Sequence, residues 1–152
     1  MKPFAETSFL CSLYRQDLFS ASADRWFQRW SKPLEVSTLV LFEFRQSIRL
    51  HTRLFESNPD AGLSMESANQ ILRDQKKDLR NGVWAPRAVD WPRVHETAEE
   101  LSDKYTWEQG HRFADILHVA TALCLNQDTF LTFDSRQRTL AESVGMKVPV
   151  FD

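Results

Sequence analysis

Apolar positions recur at helical spacing over most of the chain and give way only briefly to extended runs. Between residues 39 and 56, Leu41, Phe44, Ile48 and Phe55 follow one helix face, and NPDAG at 58–62 closes the segment with turn-forming residues. Met65, Ala68, Leu72 and Leu79 predict a second helix, ended by Asn81 and Gly82. Trp91, Val94, Ala98, Leu101 and Tyr105 predict a third, with Pro92 in a first turn that tolerates it. Phe113, Ile116, Leu117, Ala120, Leu123 and Cys124 form the most regular stripe and predict a core helix. Short β-rich runs at 3–6, 34–38 (LEVST), 129–133 (TFLTF) and 147–151 (KVPVF) predict strands. Strands alternating with helices imply parallel pairing, hence a three-layer α/β/α sandwich with helices on both faces of a mostly parallel sheet.

The 152 residues suit one domain, 1–152, with a single core. No apolar run approaches the roughly 20 residues of a membrane span, and the start of the chain lacks a signal-peptide pattern. The expectation is therefore a cytoplasmic protein with no membrane partner. Cys11 and Cys124 lie in apolar helical patterns without metal-ligand spacing and read as small core residues. A net charge of −2 gives no global attraction for nucleic acid, so binding of that kind would need local basic groups or metal ions.

The candidate chemistry lies at the ends of the predicted strands. In open parallel sheets, ligands bind outside the carboxyl ends of the strands. Glu6 follows the first strand, with Thr7 and Ser8 opening a helix; the competing reading is a helix cap beside a solvated carboxylate. Glu43 is embedded in LVLFEF, Asp115 in RFADILHVATAL, and Asp134 follows TFLTF. Carboxylates brought together from such separated positions repel one another unless cations or protons intervene. Oxygen ligands select hard ions, Mg²⁺ or Mn²⁺, and no nitrogen or sulfur set suggests zinc.

The acid-Thr-Ser start at 6–8, the acid at 43, RFADILHVATAL at 112–123 and FLTFDSRQRTLAESVGMKV at 130–148 together resemble a PIN domain. More narrowly, their order is similar to that of VapC-type toxins of toxin–antitoxin pairs. The resemblance implies a parallel sheet of four or five strands and metal-dependent endoribonuclease activity. It also implies an acidic site of Glu6, Glu43, Asp115 and Asp134, catalytic and metal-binding, with Thr7 and Ser8 bonding within it or placing a phosphate. Glu6 departs from the family's usual aspartate by one methylene, which opens an alternative: a weakened PIN-fold module that holds RNA or a protein. A phosphoryl-transfer receiver domain also clusters acids at strand ends, but Lys147 sits at the wrong end of its strand for that class.

RNA backbone would be held by Arg112, Arg136 and Arg138 near the acids, or by the Arg45, Arg49 and Arg53 stripe, which reads equally well as a solvated face paired with Glu56. His118, three residues after Asp115, could reach the pocket but reads as a hydrogen-bonded structural histidine. Phe19, Trp26, Phe27 and Trp30 exceed what one short helix buries, which points to a homodimer or a cognate antitoxin as partner.

Overall fold

The computed structural model describes residues 1–151 and contains four short strands: β1 (Pro3–Ala5), β2 (Leu34–Ser37), β3 (Trp84–Arg87) and β4 (Thr129–Leu131). They form one parallel sheet in the order β3-β2-β1-β4, with helices on both sides. The helices are α1 (Thr7–Tyr14), α2 (Ser20–Arg29), α3 (Thr38–Ser57), α4 (Met65–Arg80), α5 (Trp91–Leu101), α6 (Trp107–Gln109), α7 (Phe113–Cys124) and α8 (Ser135–Ser143). No helix among the described residues is long and apolar enough to cross a membrane.

Three elements differ from the periodicity reading. The fourth strand is β3, whose Pro86 is tolerated because β3 is an edge strand. The run 147–151 contributes only an isolated bridge between Lys147 and Thr129. Pro149 cannot donate to a ladder, and Phe151 turns inward to pack on Phe9 and Phe133. The third predicted helix is interrupted at Ser102–Thr106 by a π turn before the chain resumes as α6.

The core is aromatic and crosses the sheet. Phe4 and Phe130 are register partners on β1 and β4, their rings stacked 5.7 Å apart. Phe9, Phe44 and Trp84 are also fully buried, and each such side chain contributes about 1.5–3 kcal/mol by leaving water. The Trp84 indole donates to the Tyr14 hydroxyl (2.6 Å), which donates to Asp78 (2.5 Å), tying α1, α4 and β3 together. The early aromatics find partners inside the chain: Trp26 packs on Phe9 and Trp30, Phe27 on Trp84, and Phe19 on Phe133. Trp26, Phe27 and Trp30 are nevertheless only half-buried, and Phe19 stays exposed.

β1 is central, and the chain adds β2 and β3 on one side of it but β4 on the other. The connection reverses direction at the carboxyl ends of β1 and β4, which is where a crevice opens in a sheet of this kind. Helices α1, α3 and α8 begin directly at or just after strand ends and are capped by side chains, Glu6 on α1, Ser37 on α3 and Asp134 on α8. Asp115 lies in the first turn of α7. The positive ends of these helices favour carboxylates at that edge.

Candidate active site

A cleft of about 490 Å³ opens at the switch point and is lined by Glu6, Glu43, Asp115 and Asp134 together with Thr7, Ser8 and Arg112. Seven of the nine side chains singled out at or near the acids thus share one cavity. Arg136 and Arg138 are the exceptions: both lie outside the lining, and the backbone N–H of the exposed Arg136 donates to Asp134 (2.8 Å). Arg45, Arg49 and Arg53 do not line the cleft either, and none makes an ion pair with Glu56 among the described residues. Glu43 lies about 160° around α3 from Arg45, so one helix face cannot serve both.

The four carboxylates are bound in unequal ways. Glu6 is 2% exposed and accepts four hydrogen bonds: from Ser8 N–H (3.0 Å), Ser8 Oγ–H (2.6 Å), Thr132 Oγ1–H (2.8 Å) and Gln137 Nε2–H (3.2 Å). Burial pushes its pKa up from the usual 4.5, against the pull of His118 and of these donors. Glu43 accepts from the Thr7 hydroxyl and from His118 Nε2–H, the latter at 2.6 Å, all through Oε2. Asp115 Oδ2 accepts from Arg112 N–H (3.1 Å), and Asp134 Oδ1 from Arg136 and Gln137 N–H. Glu43, Asp115 and Asp134 therefore each keep one oxygen without a hydrogen-bond partner among the described residues.

His118 is a hydrogen-bonded histidine, as its sequence context suggested, and its partner is one of the acids. It is 1% exposed and bonded to Glu43. Burial alone would lower its pKa, but the Glu43 hydrogen bond and the charges of Glu6, Glu43 and Asp115 outweigh that and hold it above 6.5. The same bond to His118 holds Glu43 below 4.5 against partial burial. One ligand atom from each of Glu6, Glu43 and His118 falls within 4.8 Å of the others. A nitrogen thus stands in the cluster, contrary to the oxygen-only expectation, although its N–H is engaged by Glu43. Asp115 and Asp134 line the same cleft, each with one unengaged oxygen, but lie outside this close group; Glu43 is the member that brings an unengaged oxygen to it, an acceptor suited to a hard divalent cation.

Thr7 and Ser8 both have structural partners, so the surplus of polar groups after β1 has a local explanation. Ser8 Oγ donates to Glu6 and accepts from Phe133 N–H (2.9 Å), while Thr7 holds Glu43. Thr132 and Gln137 are the members that sequence reasoning missed. Their offsets from Asp134, two residues before it and three after, place them beside Glu6 once β4 passes into α8. Arg15 and Asp17 also line the cleft.

A family model for the PIN domain matches residues 4–143. No curated protein matches the chain by sequence. Among solved structures, the chain is similar to Mycobacterium tuberculosis VapC20, described as a sarcin–ricin-loop-cleaving toxin, at 20% identity and a TM-score of 0.67, with 99% of both chains covered. Similarity to FitAcB from Neisseria gonorrhoeae has a TM-score of 0.62 at 16% identity, covering 99% of this chain and 96% of that one. VapBC2 from Rickettsia felis, solved bound to a DNA fragment from its promoter, gives a TM-score of 0.64 at 13% identity with 100% of both chains covered.

Proposed function

The chain belongs to the PIN-domain family, and from that premise we propose that it is a metal-dependent endoribonuclease, the toxin of a toxin–antitoxin pair. The observation that carries this reading is the cleft at the sheet's switch point, which four acids from separated stretches line. In the proposal, Glu43, Asp115 and Asp134 hold Mg²⁺ or Mn²⁺ through their unengaged oxygens. Glu6 joins them by releasing the Gln137 amide, the longest of its four hydrogen bonds at 3.2 Å. A divalent ion held by these residues would supply a water of lowered pKa and neutralise charge growing on a phosphodiester.

The remaining work falls to protein groups. Arg112, exposed at the rim of the cleft beside Asp115, holds a phosphate oxygen, and Arg15 offers a second cation on the same lining. Thr7 and His118 fix the rotamer of Glu43, and Ser8 and Thr132 fix that of Glu6, so the carboxylates are oriented before substrate arrives. The extra methylene of Glu6 has a use in this account: the side chain reaches Thr132 and Gln137 on the far side of the switch point, which an aspartate would not span.

The proposal extends to a single PIN domain over 1–152, acting in the cytoplasm as a homodimer, with a cognate antitoxin that brings a basic side chain to the acids. The VapBC2 and FitAcB neighbours support the antitoxin partner, and the loop-cleaving neighbour makes an RNA stem-loop the first substrate to test. Purified protein is expected to cut such an RNA with Mg²⁺ or Mn²⁺ and not with EDTA. A second reading, a PIN-fold module that binds RNA or protein without cutting, is favoured by one observation: both oxygens of Glu6 are already engaged. Metal-dependent cleavage separates the two.

A further inference from the structure

The Arg45, Arg49 and Arg53 stripe takes no part in the cleft and makes no ion pair among the described residues. Arg49 and Arg53 are exposed and Arg45 is half-buried. Phe42 and Leu50 border the stripe, three residues before Arg45 and Arg53, and Leu54 follows Leu50 by one turn. Phe42 is 60% and Leu50 55% exposed. Large apolar side chains thus stand open to solvent among cations that no acid neutralises. An apolar patch set among arginines is the anatomy of a protein interface rather than of a solvated helix face.

The same chain carries a complementary face. Glu96, Glu99, Glu100 and Asp103 follow one side of α5 into the π turn at spacings of three and four. All four are exposed, no base stands between them, and none makes an ion pair among the described residues. Trp107, 86% exposed, adds an aromatic ring just beyond them. At 1.5 Å per residue the acidic stripe is about 10 Å long and the basic one about 12 Å, so the two match. α3 packs on α1 and α4 whereas α5 packs on α7, and the stripes form no ion pair with each other inside the chain. A second copy brings each face the charge it lacks. RNA suits the stripe less well, because Glu43 and the acids lie on the other side of α3 and phosphates make no use of Phe42 and Leu50.

We propose that the α3 face of one copy docks on the α5 face of a second copy, reciprocally, as the contact that forms the homodimer. This rests on the homodimer of the reading above and not on RNA cleavage.

The test is sedimentation of the full chain over the micromolar range. Wild type should run as a dimer that dissociates as salt is raised. Arg49→Glu with Arg53→Glu sets like charges against the acidic face, and Glu99→Arg with Glu100→Arg sets them against the basic one. Each double variant should raise the dimer dissociation constant about a hundredfold or more. Mixed in equal amounts, the two double variants carry complementary faces again and should form a heterodimer, which guards against a folding artefact. The quadruple variant should recover the homodimer. A wild type that stays monomeric, masses that grow without limit as concentration rises, a dimer indifferent to either double variant, or double variants that do not pair on mixing overturns the proposal. So does a monomer whose binding of labelled RNA is lost with Arg49→Glu and Arg53→Glu, which would assign the stripe to RNA. Wild type that dimerises through these faces yet cuts no RNA in Mg²⁺ or Mn²⁺ refutes the nuclease reading and keeps the interface; a monomer that cuts RNA does the reverse.

Discussion

Replacing Glu6 separates a hydrogen-bond hub from a carboxylate that merely faces a metal. Glu6→Ala removes the acceptor for Ser8 N–H, Ser8 Oγ–H, Thr132 Oγ1–H and Gln137 Nε2–H at once. Ser8 is half-buried, and water entering from the cleft can serve it, but Thr132 is 0% and Gln137 5% exposed. Two buried donors left without partners cost about 1–3 kcal/mol each, so about 2–6 kcal/mol in total. For a chain of this size that lowers Tm by roughly 4–24 °C. Glu6→Gln keeps an acceptor for part of the set and removes a charge that burial disfavours, so it should stay within about 1 kcal/mol of wild type. Thermal or urea unfolding of the metal-free proteins, followed by circular dichroism, measures both. Glu6→Ala as stable as wild type, or more so, would refute the hub, because an acid whose only role is to meet a cation is relieved by its removal.

Other outcomes follow from the same geometry. Glu6→Asp should lose the reach to Thr132 and Gln137 and so be both less stable and slower in RNA cleavage; higher activity would mean that glutamate compromises the site. Arg112→Ala should raise KM for RNA about 10- to 150-fold with little change in Tm, the loss of one charge-assisted contact to phosphate. For the metal-free protein, the raised pKa of His118 contributes stability that is fully present below 6.5 and is lost as pH rises through its folded value. The lowered pKa of Glu43 contributes stability present above 4.5 and lost as pH falls through its folded value, while buried Glu6 makes stability decline as pH rises from 4.5. Tm should therefore fall above pH 6.5 while Mn²⁺ affinity, followed by electron paramagnetic resonance, rises as His118 gives up its proton; in His118→Gln both slopes should flatten.

Much of this arrangement can be seen in the residue pattern because strand-end polarity and helical periodicity are local signals. The α3, α4 and α7 stripes match observed helices, and the acids fall where the topology opens a crevice. β3 was hidden because Pro86 and Arg87 disguise an edge strand that draws its order from pairing with β2. The 147–151 run looked like a strand by composition, yet Pro149 and the inward turn of Phe151 stop it after a single bridge. The site shows the same division. Which acids line the cleft could be read from order along the chain, but the hydrogen bonds that join Glu6 to Thr132 and Gln137 link residues 126 and 131 positions apart. No local rule specifies such a contact. His118 reads as a hydrogen-bonded histidine from its context, but its partner does not: Glu43 lies 75 residues away on another helix.

Cleavage of a labelled RNA stem-loop, in Mg²⁺ or Mn²⁺ and in EDTA, by wild type and Asp115→Asn, tests the central claim most directly. Asp115 keeps its helix-turn acceptor as asparagine but loses the charge that would meet the ion. Wild type should cut only with the divalent ion, and Asp115→Asn, folded to the same Tm within a few degrees, should be slower by about a hundredfold or more. An RNA left intact by wild type under both ions, or cleavage that survives either EDTA or Asp115→Asn undiminished, would contradict the account.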